Sequence, residues 1–537
     1  MTDPERPRGL LALAATTPAS RDRYIDFLRG FSICVVVLGH WLIAVVVWEG
    51  GTVEGFNALE RIRGLWALTW VLQVMPLFFF VGGFANATAI AAARRRGDGY
   101  AAYLARRIER MLRPTAVFLG IGLIVVVTLD AANVADNVVF PASELIARPL
   151  WFLGVYLIVV ALAPAMLALH ERFGLAVPAA MVMVAVAVDV VRFGFDVSAV
   201  GYVNYPVVWL LAHHLGFHYG AGGVLDRWRW GLAAAGLAGM VLATTVGPYP
   251  GSMVGLATDE FSNMDPPTLA IAALILWEVG LAMALRPTIT RWLGSLRVWA
   301  GVIFVNSVIM TGFLWHLTAM LFGIGILLPL GFPQPEVGSA TWWALRPVWV
   351  AALTVILAGL IVVFGWVEQR TPNRTPHRPA APGSGIAAGA GAALIVVGVL
   401  GFAMGGLHQL FSVTGVEVVV FRMNPALNVI HLVIGGAAVA AATRGAAVVR
   451  RACLVGAAPL AVLAVAGPVL AAHPEANRLA LNAADTVLHA GAALALVAAA
   501  AVAGRRVATP AGEISRPPPP GCDPRPWRDT GRGRPRR

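Results

Sequence analysis

Lysine is absent from this 537-residue chain, and all 40 of its basic residues are arginine. Charge is scarce altogether. Only 13% of residues are charged, against about 25% in ordinary soluble domains, while 58% are hydrophobic and mean hydropathy is +0.75. That balance excludes a soluble globular protein and indicates an integral membrane protein. The net charge of +12 does not signal a nucleic-acid partner, because the arginines are scattered between apolar runs and in the C-terminal tail. They read as topology determinants and contacts to membrane lipid headgroups. The three cysteines are Cys34, Cys453 and Cys522, too few and too dispersed for a disulfide framework or a thiolate metal site. No Gly-x-Ser-x-Gly nucleophile elbow occurs. No solenoid-type repeat is visible, and the N-terminus lacks the long apolar region of a cleaved signal peptide.

What the chain has instead is long apolar runs. A helix crossing a bilayer needs roughly 20 apolar residues. Ten spans are predicted before residue 370, near 30–48, 67–92, 114–129, 150–168, 175–191, 205–225, 230–247, 268–285, 298–328 and 347–367. Four more follow, near 386–404, 426–443, 453–472 and 483–503. The expected fold class is therefore all-α: a polytopic integral membrane protein of about ten transmembrane helices plus a four-helix C-terminal membrane unit. The expected organisation is an N-terminal tail (1–23), a ten-span domain (24–370), a Pro- and Arg-rich linker (371–385), the four-helix unit (386–505) and a disordered basic tail (506–537).

Arginine placement orients the spans. With the N-terminus inside, the cytoplasmic segments of the first block hold 16 arginines and the opposite segments hold 5. This is the asymmetry of the positive-inside rule, and it predicts that both termini are cytoplasmic. The alanine- and arginine-rich composition is that of a high-GC bacterium, so the expected location is a bacterial plasma membrane.

Within the first span, "FLRGFSICVVVLGHW" (27–41) carries Arg29 and His40. Eleven residues at about 100° each fall some 20° from three full turns, so both side chains project from one helix face, about 16 Å apart along the axis. Asp26 precedes Arg29 by three residues and is placed to pair with it. An arginine at a helix end is ordinarily an anchor and a lone histidine ordinarily bonds a carbonyl. Their shared face argues for a functional pair, since ionisable groups at membrane depth face a cavity or a partner. A neutral imidazole there is a candidate general base, and an arginine suits phosphate recognition.

"YIDFLRGFSICVVVLGHW" resembles the opening of the acyltransferase-3 family of polytopic membrane acyltransferases, with its Asp-x-x-Arg-Gly segment and Arg-x10-His motif. "MPLFFFVGGFANA" (75–87), "YLARRIERMLRP" (103–114), "LWFLGVYL" (150–157), "VNYPVVWLLAHHLGFHYGAG" (203–222) and "VIMTGFLWHLTAM" (308–320) resemble later landmarks of that family. The resemblance covers roughly residues 20 to 370. One departure is that Gly82 stands where the family often has serine.

The resemblance implies transfer of an acyl group, typically acetyl, from a cytoplasmic acyl-CoA co-substrate, with no bound cofactor and no metal. The acceptor would be a hydroxyl of a cell-envelope glycan, a lipid-linked sugar or a small molecule, so the modification would be O-acetylation of carbohydrate. On this reading His40 is the general base, with Arg29 holding the donor or orienting the histidine. Arg107, Arg110 and Arg113 form a row that would meet the CoA phosphates; a positive-inside anchor is an equal reading for them. Asn204, His214, Trp315 and His316, with Asp26, are further candidates to line the cavity. Asn306 shares a similar face with His316, and "FSNMDPPT" (261–268) reads as a proline-stiffened lid. Trp48, Trp66, Trp228 and Trp230 read as interfacial belt residues.

The C-terminal unit resembles a small four-span bacterial membrane domain of unknown function. Asn428 and His431, and Asp485 and His489, share helix faces. Helix-fixing hydrogen bonds are the favoured reading over a metal site that would include His408. Two other function classes fit ten spans with intramembrane Arg and His: a transporter or flippase, and a non-catalytic membrane scaffold. The inverted repeats and broken helices common in transporters are not evident in the sequence.

Overall fold

The computed structural model describes residues 9–49, 52–220, 223–369 and 380–505. The tail at 506–537, most of the linker and the first eight residues lie outside the described residues. Among the described residues the fold is helical, with two small antiparallel hairpins. Twelve described stretches are long and apolar enough to cross a membrane, eight before the linker and four after it.

The chain enters through a short helix, α1 (Leu10–Ala15), within the expected tail. Ala14 is buried there beside Trp299, whose Nε1 donates to Thr17 Oγ1 at 2.8 Å. The first span, α2 (Arg23–Ile43), ends earlier than hydropathy implied. Ala44–Glu49 forms strand β1, paired with β2 (Thr52–Asn57) in the register Ala44↔Asn57 to Glu49↔Thr52. The run Val45–Val47 is as apolar as the helix before it. β-branched side chains favour the pleated conformation, and the sequence supplies Gly50 and Gly51 between the strands.

After α3 (Ala58–Arg61) and α4 (Thr69–Leu72) come the expected spans α5 (Met75–Arg95) and α6 (Tyr100–Ala131). A further helix, α7 (Asp136–Ala147), leads into α8 (Leu150–Phe173), α9 (Ala176–Gly194), α10 (Asn204–Tyr219) and α11 (Val224–Thr245). Two of these fall short of a membrane span, for different reasons. Helix α10 has 16 residues and is almost wholly buried. Helix α11 is long enough, but tryptophans, glycines and Arg229 dilute its apolar run.

The chain continues through α12 (Leu269–Trp292), α13 (Leu296–Ser307), α14 (Ile309–Leu327) and α15 (Ala340–Gln369). The single span expected over 298–328 is broken at Val308. The break is stabilised from another helix. Glu368 accepts from the backbone N–H of Met310 (3.0 Å) and of Thr311 (2.9 Å), and from Thr311 Oγ1 (2.9 Å). A carboxylate thus satisfies the orphan donors at the N-terminus of α14.

The C-terminal unit comprises α16 (Ser384–Gly405), a hairpin of β3 (Val416–Val418) and β4 (Phe421–Met423), α17 (Pro425–Ala442), α18 (Ala446–Ala472) and α19 (Ala483–Gly504). It packs against α6, α7 and α8 of the preceding helices. Leu407 reaches Gly122 of α6, Leu400 reaches Gly154 of α8, and Gly436 of α17 faces Leu112 of α6. Between apolar helices in lipid, such small residues permit the close approach that gives dispersion its strength.

The same device sets α5 against α10. A Cβ on Gly83 would collide with the His213 carbonyl, and one on Gly216 would collide with that of Phe80. Phe79 stacks on Trp209 beside this crossing, with centroids 4.8 Å apart.

Candidate active site

The start of α2 is an ion-pair hub. Asp22 caps the helix, Oδ1 accepting from the Ile25 N–H (3.0 Å) and Oδ2 from the Tyr219 hydroxyl (2.8 Å). One turn on, Asp26 is buried and takes Nε of Arg21 and Nη2 of Arg29, each at 2.5 Å. Asn306 of α13 donates to the Asp26 carbonyl at 2.9 Å, an approach opened by the break at Val308. The expected Asp26–Arg29 pair is therefore formed, and among the described residues Arg29 is held by one carboxylate oxygen.

Helix α6 brings more cations to this end of the bundle. Arg110 lies within electrostatic reach of both Arg107 and Arg29. Arg107 is half-buried against Tyr103 and within reach of His213, and its Nε and Nη2 are buried with no protein partner among the described residues. Arg113 differs, because it pairs with Glu109 one turn earlier. Asp98, in the turn before α6, binds Arg96 (2.8 Å) and Arg106 (2.7 Å). Burial pushes the Asp98 carboxyl up, but the hydrogen bonds and charges of those two arginines carry it below the ordinary range. Their charge is spent there, while Arg29, Arg107 and Arg110 converge.

His40 lies in the last turn of α2, toward the end opposite Arg29. Its Nδ1 is 2.8 Å from Nε2 of His316 on α14, and the rings stack 7° from parallel. His316 Nδ1 is 2.5 Å from the Phe313 carbonyl, and Trp41 Nε1 donates to the His316 carbonyl at 2.9 Å. A carbonyl only accepts, so His316 carries its proton on Nδ1 and presents Nε2 as an acceptor. For two neutral rings, His40 then donates from Nδ1, and its Nε2 holds the free lone pair. Arg148, at the end of α7, lies within electrostatic reach of His40. An apolar groove lined by Gly39, Leu42, Ile43, Leu72, Gln73 and Trp342 runs along this last turn of α2.

With that geometry in place, comparison with known families is decisive. Residues 22–366, from α2 through α15, match the family described as an acyltransferase domain, acyltransferase-3. The chain belongs to this family of membrane acyltransferases. Residues 385–502, the four-helix unit, match a domain of unknown function, DUF4383. No curated protein and no solved structure matches the chain.

In this acyltransferase the other sequence candidates are dispersed. Asn204 donates to Asp189 Oδ1 at 2.9 Å, and the same carboxylate accepts from Tyr249 (2.9 Å) and the Leu269 N–H (2.7 Å). The Asn204 amide nitrogen is committed to that cluster, while its Oδ1 is buried without a partner among the described residues. Trp315 stacks on Phe364 with centroids 4.2 Å apart and fixes α14 on α15. His214 lies with His170 and His218. The segment 261–268 is laced down: Asn263 donates to the Pro250 and Ser252 carbonyls (both 2.8 Å) and accepts from Thr268 (2.9 Å). Among the belt candidates, Trp228 and Trp230 are exposed and Trp66 is half-buried.

Gly82 has a local reason. A Cβ there would lie 2.8 Å from the Tyr156 ring, so a serine requires Tyr156 to move. Sequence reasoning missed Asn86, Arg148 and Glu368. Asn86 Nδ2 donates to His213 Nε2 at 3.0 Å. Only its inclusion in the second-span landmark hinted at it, and nothing local marked the other two.

Proposed function

We propose that this acyltransferase moves an acyl group, acetyl in the simplest case, from a cytoplasmic acyl-CoA to a hydroxyl of a cell-envelope glycan, glycolipid or small molecule at a bacterial plasma membrane. Both termini would face the cytoplasm, as the arginine asymmetry implies. The observation that carries the reading is the directed hydrogen-bond relay Phe313–His316–His40, which aims a lone pair from His40 Nε2. Arg29, Arg107 and Arg110 supply the phosphate-binding end. Arg29 and His40 are separated by about 16 Å of helix, a distance an extended pantetheine arm bridges.

In the proposed reaction the acceptor oxygen attacks the thioester carbonyl carbon while His40 Nε2 takes its proton. The charge of Arg148 reaches His40 and would favour a developing oxyanion there. The tetrahedral intermediate collapses with cleavage of the C–S bond, and the imidazolium returns the proton to the departing thiolate. The products are an ester and free CoA, and no covalent enzyme intermediate forms. General-base assistance of this kind contributes roughly 10²- to 10⁴-fold. The groove along the last turn of α2, lined by Gly39, Leu42 and Ile43 and not by His40 itself, is apolar enough for an acyl chain or a lipid-linked acceptor.

The test is to give membranes containing the full chain a set of CoA thioesters labelled in the acyl group. Thiol release is followed together with label in glycan, lipid and small-molecule fractions. Label entering one fraction in an alkali-labile linkage supports O-acylation and names the acceptor class. Thiol release with no labelled product from any donor contradicts it.

A further inference from the structure

His214 and His218 are four residues apart on α10 and share a face. His170, in the last turn of α8, faces them. One ring nitrogen from each of the three lies within 4.8 Å of the others. The rings meet at steep angles, His170 to His218 at 74° with centroids 4.4 Å apart, His170 to His214 at 65° and 5.2 Å, and His214 to His218 at 56° and 5.6 Å. Phe217 closes one side, edge-on to His170 and His214. His214 is fully buried and His218 is 5% exposed. Nδ1 of His170 and Nε2 of His218 are buried without a hydrogen-bond partner among the described residues, and His214 has at most the Gly174 backbone to bond.

Three packed imidazoles with unused nitrogens are costly in an apolar surround. A proton shared between two of them leaves the third unsatisfied. We propose that His170, His214 and His218 form a binding site for a divalent transition metal ion, zinc fitting best. Zinc takes imidazole nitrogen at about 2.0–2.1 Å, so tetrahedral ligands stand about 3.4 Å apart, within small side-chain rotations of the spacing here. An all-nitrogen donor set disfavours calcium and magnesium. The site also lies at the carboxyl ends of α8 and α10, whose dipoles favour a cation.

Three protein ligands leave the fourth position to water or a small ligand. The ion would clamp α8 to α10 one residue from His213, which Asn86 ties to α5. The site stands at the arginine-bearing end, because Glu171 pairs with Arg94 of α5 (2.5 Å) and Tyr219 with Asp22 of α2. The sequence reading, with no metal, had no means of seeing this trio, because His170 is 44 residues from His214.

The experiment uses full-length protein with a histidine-free affinity tag, stripped by chelator in detergent and titrated with Co²⁺. Wild type should take up one equivalent with the intense visible bands of tetrahedral cobalt, and Zn²⁺ should bleach them. The bands should be lost in His218→Gln and in His170→Gln, which sits at the half-exposed rim and so serves as the variant least prone to misfold. They should persist in His408→Gln, which alters the Asp130, Asp136 and His408 group, and in His489→Gln, which alters the His431–His489 pair. No stoichiometric band in wild type would overturn the proposal. So would a band retained in both His170→Gln and His218→Gln, or one lost in His408→Gln or His489→Gln instead.

Discussion

Nδ1 of His40 stands 2.8 Å from Nε2 of His316, and the two rings lie almost parallel with centroids 5.1 Å apart. His316 is itself fixed through Nδ1 by the Phe313 carbonyl of its own helix. The consequence is directional: one tautomer of His40 is selected, and it exposes Nε2. A second histidine thus orients the candidate base, the role a carboxylate or carbonyl plays in other hydrogen-bonded histidine pairs.

His316→Ala should therefore lower kcat by roughly 10- to 100-fold, less than loss of the base itself. His316→Gln, which keeps an acceptor for His40 Nδ1, should recover part of that loss. Steady-state kinetics on equal amounts of folded protein compare the two. Equal defects in both variants would mean that His316 acts through packing alone.

Arg107 carries two buried guanidinium nitrogens without partners among the described residues. Removing a charged hydrogen-bond donor to a ligand costs about 1.5–3 kcal/mol, so Arg107→Gln should raise KM for acyl-CoA by about tenfold to a hundredfold with a smaller change in kcat. Arg113, engaged with Glu109, should tolerate Gln with little effect on KM. Matching effects at the two positions would contradict the division between them.

Asp26→Asn removes the negative charge that two guanidinium groups share at 2.5 Å. Weakening a buried, charge-assisted network of this kind should cost about 1–3 kcal/mol of stability. Thermal unfolding in detergent reads it, and a melting temperature equal to wild type would show that solvent screens the hub.

The first span was legible because its evidence is local: an 11-residue spacing and a hydropathy run both lie within α2. The other limits of legibility are tertiary. The break at Val308 is capped by Glu368, some sixty residues later, so no window across 298–328 contains its cause. The strand Ala44–Glu49 was hidden because the valine run is as apolar as a membrane helix, and pairing with Thr52–Asn57 rather than hydropathy decides its form. His316 was a candidate from its setting, but its partner His40 is 276 residues away. Asn204 was a cavity candidate within the 203–222 landmark, and only the fold shows Asp189 accepting from its amide nitrogen.

Gly83 allows α5 and α10 to touch backbone to backbone. Gly83→Ala should destabilise by about 1–3 kcal/mol through overpacking. Gly120→Ala, where an added Cβ meets nothing within 4 Å, should be neutral or slightly stabilising. Paired melting curves check this, and equal melting temperatures for the two variants would contradict the close approach.

The most direct test of the central claim is single-turnover transfer of labelled acyl groups by wild type and His40→Ala at matched expression and fold. The account predicts that the variant still binds acyl-CoA but transfers at least about 10²-fold more slowly, the lower bound for losing a general base. Transfer by His40→Ala at the wild-type rate would remove His40 from the chemistry and with it the relay from His316.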